Sequence, residues 1–203
     1  MDVSDAWAER DRGERRSGGA ERPRGDGEPG GRSPIDAGDE LVEWVDEHGE
    51  VIEIVTRRRM RSENLRHRSV AVVVLASDGR LLVHRRAETK DLHPGWWDVC
   101  AGGVLGVGES YEASARRELG EELGITPGEL ELLGVDRWDD VDSRELSHVY
   151  RTVHDGPYVF ADGEIAEARL VTPLELGRLM DRERFLPTCD GMILPLLPDF
   201  AAP

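Results

Sequence analysis

The sequence predicts an α/β fold, in which a mixed β-sheet lies between helical layers. Residues 70–75 are mostly β-branched, and such a continuous apolar run is typical of a strand buried on both faces of a sheet. Shorter strand-like segments precede and follow this run, and helical segments are interspersed among them. Strands and helices in this order predict one layered domain, and 203 residues are enough for a full core.

The first 38 residues are expected to lie outside that domain. They are mainly Arg, Gly, Glu, Asp, Pro and Ser, with almost no large apolar side chains. Such a segment buries too little surface to offset its loss of conformational entropy, so residues 1–38 are predicted to be disordered. Trp7, the only aromatic residue of this tail, leaves open a short helix that docks on a partner; an inert tail is the simpler interpretation. The domain is expected to span residues 39–203.

The first elements of the domain follow from apolar runs and the turns between them. Two strand-like segments joined by a turn-like stretch predict a β-hairpin over residues 41–55. Residues 57–65 suit a short helix. After the strand at residues 70–75, an Asp-Gly turn leads to residues 81–83, which are expected to return beside that strand as its partner.

The second half of the chain is predicted to add strands, one helix and a packed C-terminus. After a short strand beyond the Pro-Gly-Trp-Trp segment, further strands are expected at residues 130–138, 147–154 and 166–171. Thr172 followed directly by Pro173 is typical of the start of a helix. Residues 185–200 are apolar and interrupted by Pro, so they are expected to pack on the sheet.

The composition restricts the classes of partner. The formal net charge is -16, so association with nucleic acid or an anionic membrane surface is disfavoured. No apolar run approaches the ~18 residues that a membrane-spanning helix needs. Cys100 and Cys189 are too few for a disulfide framework, and nothing resembles a secretory signal, so a cytoplasmic protein is expected. The charge also repels free nucleotides, so phosphate binding requires a metal ion and local arginines; Lys90 is the only lysine, and every other basic residue is Arg.

One segment of the chain predicts a chemistry. Glu118, Glu121 and Glu122 are spaced i, i+3 and i+4, which on an α-helix gathers three carboxylates onto one face. These like charges repel one another, and a divalent cation with oxygen ligands compensates them directly. A Gly-rich loop, residues 102–108, and Glu109 precede the helix. Since glycine allows backbone groups to approach a ligand closely, the segment predicts a site for a hard metal ion that carries phosphate oxygens.

The spacing within residues 103–125 resembles the signature of the Nudix hydrolases. The match begins at Gly103. Five residues separate Gly103 from Glu109, seven residues separate Glu109 from Arg117 and Glu118, and the match continues through Gly124. An exposed acidic helix is a common alternative for such a charge run, but it explains neither the Gly loop nor the register. The resemblance extends over roughly residues 39–182 and implies the Nudix fold, an α/β/α sandwich with a mixed sheet.

The resemblance implies a Mg²⁺- or Mn²⁺-dependent hydrolase that cleaves a pyrophosphate bond in a nucleoside diphosphate-linked or related small molecule. It implies that Glu118 and Glu122 are metal ligands and that the carbonyl of Gly102 completes the metal shell. Glu121 is implied as a further ligand or as the base that orients water, and either Glu118 or Glu121 is a candidate for the catalytic base. The motif residues with structural roles are implied to be Gly103, Glu109, Arg117 and Gly124, of which Arg117 holds the glutamates in ion pairs.

Three further groups of residues have two interpretations each. Glu164 precedes a late strand, where related enzymes place an extra metal-binding or basic Glu; a solvated turn is the alternative. Arg85 and Arg86 follow a strand at a place where the family directs cations toward phosphates, and Arg85 is preferred over Arg86, for which a surface role is the alternative. The aromatic residues near the motif, predicted either to fill the core or to stack on a base, are Trp96, Trp97 and Tyr111; core burial is preferred for Trp97.

Within the family, the flanking residues resemble the branch that contains isopentenyl diphosphate isomerase. Counting back from Glu109, the isomerase Cys position falls on Gly102 and its metal-binding His position on Val104, while the hydrolase signature is intact. Hydrolysis is therefore predicted over isomerisation, Cys100 is interpreted as a buried strand residue, and His67 as a structural His or a contact to metal or substrate. A Nudix-fold regulator that binds a nucleotide-like ligand without turnover is a further alternative. The hairpin at residues 41–55 is a candidate homodimer surface.

Overall fold

The computed structural model describes residues 37–200. Most of the predicted disordered tail, including Trp7, therefore lies outside the described residues. Residues 37 and 38 of that predicted tail belong to a short 3-10 helix, Ala37–Asp39, that leads into the domain.

The predicted hairpin is present and packs with a short helix. Strands β1 (Leu41–Val45) and β2 (Val51–Thr56) pair antiparallel, and α1 (Arg57–Ser62) follows at once, with the Thr56 hydroxyl accepting a hydrogen bond from the backbone N–H of Arg59 at its N-terminus. The helix ends three residues earlier than predicted because Asn64 adopts a left-handed conformation with φ 47°, which an α-helix does not accommodate.

A seven-stranded mixed sheet forms the centre of the described domain. Its strands are β3 (His67–Leu75), β4 (Leu81–Arg86), β5 (Trp97–Asp98), β6 (Ala101–Val104), β7 (Glu131–Asp139), β8 (Arg144–Val153) and β9 (Ile165–Val171). The strand order is β5-β4-β3-β8-β7, with β6 also paired to β3 and β9 to β4. Strands β3 and β8 are parallel along their whole length, while the other pairs are antiparallel.

The expected pairing of β4 with β3 is confined to one end. The only aligned pair between them is Leu75 with Leu81, whereas β4 aligns along its length with β9. The ladder positions on β3 that a long hairpin would use are occupied by β6 on one side and β8 on the other. The sequence of the turn therefore predicted the reversal of the chain correctly but not the partner of the returning strand.

The two faces of β3 are buried against different layers, as its unbroken apolar run predicts. Val70, Val72 and Val74 pack with α2 (Tyr111–Leu123), whereas Ala71 and Val73 pack with α3 (Pro173–Met180) and the C-terminal segment. Helix α3 begins with a complete capping box, in which the Thr172 and Glu175 side chains each accept from the other's backbone N–H. The result is the predicted α/β/α sandwich around a mixed sheet.

No helix in residues 37–200 is long and apolar enough to cross a membrane.

Candidate functional site

The two glycines ahead of the motif helix lie in strand β6 rather than in a loop, contrary to the expectation for residues 102–108. A Cβ atom on Gly102 would lie 2.0 Å from the carbonyl oxygen of Val70, and one on Gly103 would lie 2.3 Å from Oε1 of Glu118. These separations are far below van der Waals contact, so Gly102, which lies against backbone atoms, accepts no side chain, and a side chain at Gly103 would displace the carboxylate of Glu118. Gly103 is therefore the residue that lets the carboxylate of Glu118 lie directly against the strand.

Helix α2 orients the acidic residues differently along its length. Ser110 accepts a hydrogen bond from the backbone N–H of Ala113 at its start, and Gly124 ends it with φ 65°, a conformation that glycine adopts without steric cost. Glu118 and Glu122 are buried on the face toward the sheet, whereas Glu121 is exposed. The i, i+3, i+4 spacing thus provides two buried carboxylates and one at the surface.

Arg117 joins the carboxylates of the motif. Its Nη1 donates to Oε1 of Glu118 at 2.7 Å and to Oε2 of Glu121 at 2.9 Å, and its Nε donates to Oε1 of Glu109 at 3.0 Å. Oε2 of Glu109 also accepts from the backbone N–H of Gly106 at 2.9 Å. The hydrogen bond from Arg117 lowers the pKa of Glu109, so this carboxylate is held ionised at the junction of loop and helix.

Glu122 is the most deeply buried acid of the site. The backbone N–H of Gly102 donates to its Oε2 at 3.3 Å, and Nζ of Lys90 lies 3.7 Å from its Oε1. Burial raises the pKa of Glu122 to about 8, although Lys90 acts in the opposite direction. Burial likewise raises the pKa of Glu118 against the lowering effect of Arg117. Lys90 also pairs with Glu164, so the late acidic residue lies beside the motif in space.

The chemistry of this donor set fits a hard divalent cation. Glu109, Glu118 and Glu121 share Arg117, and Glu122 and Glu164 share Lys90. Five carboxylates are therefore in direct contact with two cationic side chains, and every donor is an oxygen, the type that Mg²⁺ prefers. Across residues 37–200, no three acidic, His or Cys side chains already converge on one point as a metal site would require, because Arg117 and Lys90 lie among them.

A cleft of 870 Å³ separates this acidic wall from a basic one. Gly103, Glu118 and Glu164 line one side, and Arg57 and Arg61 of α1 line the other. The Nε atom of Arg61 is buried without a hydrogen-bond partner, and its nearest acidic oxygen, on Asp91, is 3.6 Å away. Burial of a cation without a hydrogen-bonded partner costs free energy. A cation in this situation is typical of a site that binds an anion.

The arginines of α1 were not predicted as site residues. Residues 57–62 contain four arginines, a density that was interpreted only as a short helix. The hairpin brings them to the motif: the backbone N–H of Gly108 donates to Oε1 of Glu43 at 2.9 Å, and Val42 forms an isolated bridge with Gly106. The run of arginines was a usable signal, but its proximity to the motif depends on these contacts between distant segments.

The two arginines at the end of β4 have different environments. Arg85 lies 3.6 Å from both Glu88 and Glu167, in ion pairs at the surface. Arg86 lines a second, smaller cavity next to the cleft, where its guanidinium donates to the carbonyl of Leu92 at 3.0 and 3.2 Å. Of the two, only Arg86 lines either of the two cavities, so the structure places Arg86, and not the preferred Arg85, next to the site.

The aromatic residues near the motif also differ in environment. Trp97 is 2% exposed and belongs to the core, as preferred from the sequence. Trp96 is half-buried, with the Arg184 guanidinium above its ring. Tyr111 stacks on His148 with ring centroids 3.5 Å apart. Among the residues that line the two cavities, none of these three rings occurs, so the aromatic stacking wall is not formed by them.

Comparisons with known proteins agree with this site. Residues 65–189 match the family model of the NUDIX domain. The chain is 38% identical over 157 residues to the uncharacterized Nudix hydrolase PA4841 of Pseudomonas aeruginosa, covering 77% of this chain and 91% of that protein. It is 39% identical over 143 residues to the uncharacterized Nudix hydrolase YfcD of Escherichia coli, covering 69% of this chain and 79% of YfcD.

Solved structures show the same fold. The crystal structure of DR0079 from Deinococcus radiodurans superposes with a TM-score of 0.65 and 26% identity, covering 78% of this chain and 99% of that one. The NUDIX domain of NrtR from Shewanella oneidensis, solved in complex with ADP ribose, has a TM-score of 0.53 and 14% identity, covering 69% of this chain and 96% of that one, and shares the fold alone. The motif helix, the glycine strand beside it and these relatives together show that the chain belongs to the Nudix hydrolase family, whose members act on diphosphate bonds.

Proposed function

We propose that the protein is a Mg²⁺- or Mn²⁺-dependent hydrolase that cleaves the pyrophosphate bond of a nucleoside diphosphate-linked or related small molecule. The observation that carries this proposal is the pair of buried carboxylates, Glu118 and Glu122, packed against Gly103 and Gly102, of which Glu118 lines the same cleft as the α1 arginines. A diphosphate in this cleft meets cations on one side and the residues suited to a metal on the other.

The residues that would hold the ion are Glu118, Glu121, Glu122, Glu164 and the carbonyl of Gly102. A bound divalent ion supplies neutralisation of the phosphate oxygens, which otherwise repel an attacking water. Lys90 lies between Glu122 and Glu164, so binding of the ion requires this ammonium group to move aside.

The chain's own groups orient the reactants. Glu121 is exposed to the cleft, so its carboxylate is suited to accept a proton from the attacking water; Glu118 is the alternative base. Arg117 holds both carboxylates in place from behind. Arg57 and Arg61 bind the phosphates from the opposite wall, because guanidinium groups match phosphate oxygens in geometry and charge.

The isomerase alternative lacks a reactive thiol. Burial raises the pKa of Cys100 well above its usual value, and the neighbouring Asp98 adds to this effect. Its Sγ lies 3.4 Å from Oδ1 of Asp98 as a hydrogen-bond donor. A thiol that is held protonated is a poor nucleophile and a poor base, so this geometry supports hydrolysis over isomerisation.

The proposal is tested with a panel of nucleoside diphosphate derivatives and with isopentenyl diphosphate, each with and without Mg²⁺. We expect Mg²⁺-dependent release of phosphate or of a nucleoside monophosphate. Glu122→Gln should abolish that release while the circular dichroism spectrum is retained. Glu112→Gln on the same helix is the matched control, because Glu112 is exposed and pairs only with Arg116 among the described ion pairs.

Other outcomes select the alternatives. Conversion of isopentenyl diphosphate to its isomer without hydrolysis of any panel member would overturn the proposal in favour of an isomerase. Binding without turnover of any compound would favour the regulator. The free thiols of Cys100 and Cys189 are consistent with the proposed cytoplasmic location, and the exposed side chains of Ile52 and Ile54 are consistent with the proposed dimer surface on the hairpin; a monomeric mass in solution would contradict the dimer.

A further inference from the structure

A second cavity opens from the inner end of the cleft. It has a volume of 130 Å³ and lies between the sheet and the C-terminal segment. Arg61, Lys90, Gly102 and Gly103 line both this cavity and the cleft. A ligand whose diphosphate lies in the cleft can therefore place its adjoining group in this second cavity.

The sheet face that borders the second cavity changes from apolar to polar along the strands. Ala71 and Val73 of β3 are part of the core on this face, but His67 and Ser69 continue the same alternation at the beginning of the strand. Strand β8, which runs parallel in register, adds Ser147 beside Ser69. These polar side chains are buried deep in the domain, where the core pattern calls for apolar residues.

Several of these buried groups have no protein partner. Nε2 of His67 and Oγ of Ser147 make no hydrogen bond within the described structure, although each residue is only 1% exposed. The Nε atom of Arg61 at the mouth also makes no hydrogen bond, but it has Oδ2 of Asp91 as an ion-pair partner at 3.6 Å. A buried polar group without a partner costs stability, so the unpaired atoms of His67 and Ser147 beside one cavity indicate a ligand rather than a structural role.

The hydrogen bonds that are made determine what the cavity accepts. Nδ1 of His67 lies 3.0 Å from the carbonyl oxygen of Leu65, and because a carbonyl only accepts, Nδ1 carries the proton. Burial lowers the pKa of His67, so the ring is neutral and its free Nε2 is an acceptor. Glu145 accepts from Ser69 at 2.8 Å and from Ser143 at 2.5 Å, which adds acceptor oxygens to the same wall.

The remaining walls and the size limit the occupant further. Trp138, Met192 and Ile193 form an apolar side, and Gly191 allows the Trp138 ring to pack closely, since a Cβ there would lie 2.5 Å from it. A single water needs about 10–15 Å³ of such volume, so the cavity has room for one ring-sized group and not for a whole nucleoside.

We propose that this second cavity is the specificity subsite, and that it takes a ring-sized, uncharged group whose hydroxyl or amino hydrogens are donated to His67 Nε2 and Ser147 Oγ. The proposal rests on the proposed diphosphate hydrolysis, because it requires the diphosphate to lie in the adjoining cleft. A sugar hydroxyl and a base amino group share this donor chemistry, and the panel below separates them.

The test compares substrates that do and do not carry a group for the subsite. Nucleotide sugars that share one nucleoside vary the sugar hydroxyls, nucleoside diphosphates vary the base amino group, and methyl diphosphate carries no group of this size. In Ser147→Leu, which fills the cavity, the ratio of kcat/KM for the best substrate to that for methyl diphosphate should fall at least about tenfold. The loss should appear mainly in KM.

Conservative variants separate hydrogen bonding from folding. Ser147→Ala removes a hydroxyl that has no partner in the described structure, so the Tm of the free protein should not fall. The ratio of kcat/KM for the best substrate to that for methyl diphosphate should fall. His67→Phe should lower the ratio, and His67→Gln, which keeps an acceptor oxygen, should restore part of it. Thr152→Val is the matched control on β8, because its hydroxyl bonds to the Glu129 carbonyl and lies outside the cavity; it should leave the ratio unchanged.

The two proposals fail in different ways. Mg²⁺-dependent turnover with an unchanged substrate ratio in both Ser147→Leu and His67→Phe would overturn the subsite and leave the hydrolase intact. Absence of turnover for every compound would overturn the hydrolase, and the subsite would then be judged by the Tm increase on adding each panel compound with Mg²⁺. Equal Tm increases in the wild type and Ser147→Leu, or none in either, would overturn the subsite as well.

Discussion

The two walls of the cleft have opposite charge and opposite construction. Most of the acidic wall is one stretch of chain, from the glycine strand β6 to helix α2, to which Glu164 is added from a distant segment; Glu118 and Glu122 are buried, and Arg117 and Lys90 pair with the carboxylates. The basic wall consists of arginines on a six-residue helix that the hairpin carries to the motif. We infer that the acidic wall is a rigid frame suited to the reaction. The basic wall attracts the phosphates through its long side chains.

The largest effect is expected on the acidic wall. Glu118→Gln keeps the shape of the side chain but replaces one acceptor oxygen by an NH2 group and removes the charge that a metal ion requires. We expect kcat to fall about 10²–10⁴-fold, the range for loss of an essential acid-base or charged group. Steady-state kinetics at saturating Mg²⁺ measures it, and a loss below tenfold would show that this carboxylate is dispensable.

The next effect tests the rigidity of that wall. Gly103→Ala places a Cβ where it would lie 2.3 Å from the Glu118 carboxylate, so the carboxylate must move by the order of an ångström. A displacement of this size is expected to lower kcat about 10²-fold. Gly128→Ala is the control, because a Cβ there meets nothing within 4 Å. Equal activity of the two variants would contradict the rigid frame.

The basic wall should show a smaller effect that appears in KM. Arg61→Gln removes a charged hydrogen bond to phosphate, which corresponds to about 1.5–3 kcal/mol, or roughly 10–100-fold in KM. Arg59→Gln is the matched control on the same helix, because Arg59 donates to Glu53 and Glu63 at the surface. If Arg61→Gln lowers kcat and leaves KM unchanged, the basic wall acts in the reaction itself and not only in substrate binding.

Lys90 belongs to the acidic wall but carries the charge of the basic one. It pairs with Glu122 and Glu164, so it competes with a cation for the same carboxylates. In Lys90→Met we expect Mn²⁺ to bind several-fold more tightly and the metal-induced rise in Tm to exceed that of the wild type. Calorimetric titration measures the affinity, and weaker Mn²⁺ binding would mean that Lys90 supports the metal instead.

A buried group that belongs to neither wall should affect stability alone. Burial lowers the pKa of His84 to about 4, from its usual value near 6.5. Between those values the unfolded chain takes up a proton on this residue that the folded chain does not, so the contribution of His84 to stability is complete above pH 6.5 and is lost as the pH drops toward 4. Between pH 7 and 4.5 this amounts to about 2 kcal/mol.

Urea unfolding at the two pH values measures the effect of His84. The difference in free energy of unfolding between the wild type and His84→Gln should change by about 2 kcal/mol between pH 7 and 4.5, because the replacement does not titrate and all other groups titrate alike in the two proteins. A difference that is the same at both pH values would contradict the lowered pKa.

The two walls also differ in how much of their structure could be predicted from the sequence alone. The α/β class and the placement of Glu118 and Glu122 on one helix face follow from periodicity and spacing, because those rules act within one helix or one strand; the α/β/α arrangement was implied by the family resemblance. The preference for Arg85 over Arg86 depended on which face of β4 meets the cleft, and strand pairing between distant segments decides that. The partner of β4 was assigned from its turn for the same reason.

The second cavity illustrates the same limit at the scale of side chains. His67 and Ser147 are 80 residues apart in the chain, and only the parallel register of β3 and β8 places them on one wall. The arginines of α1 were visible as a cluster in the sequence, but their position opposite the motif depends on the contact between Glu43 and Gly108.

The sole lysine of the chain also provides a spectroscopic reporter. Lys90 is the only side-chain amine in the sequence, and its ammonium group lies between two carboxylates proposed to bind metal. Reductive methylation with ¹³C-formaldehyde would therefore label one lysine and the chain terminus. The dimethyl-lysine resonance in an NMR spectrum would then respond directly to occupancy of the site, without any substrate being known.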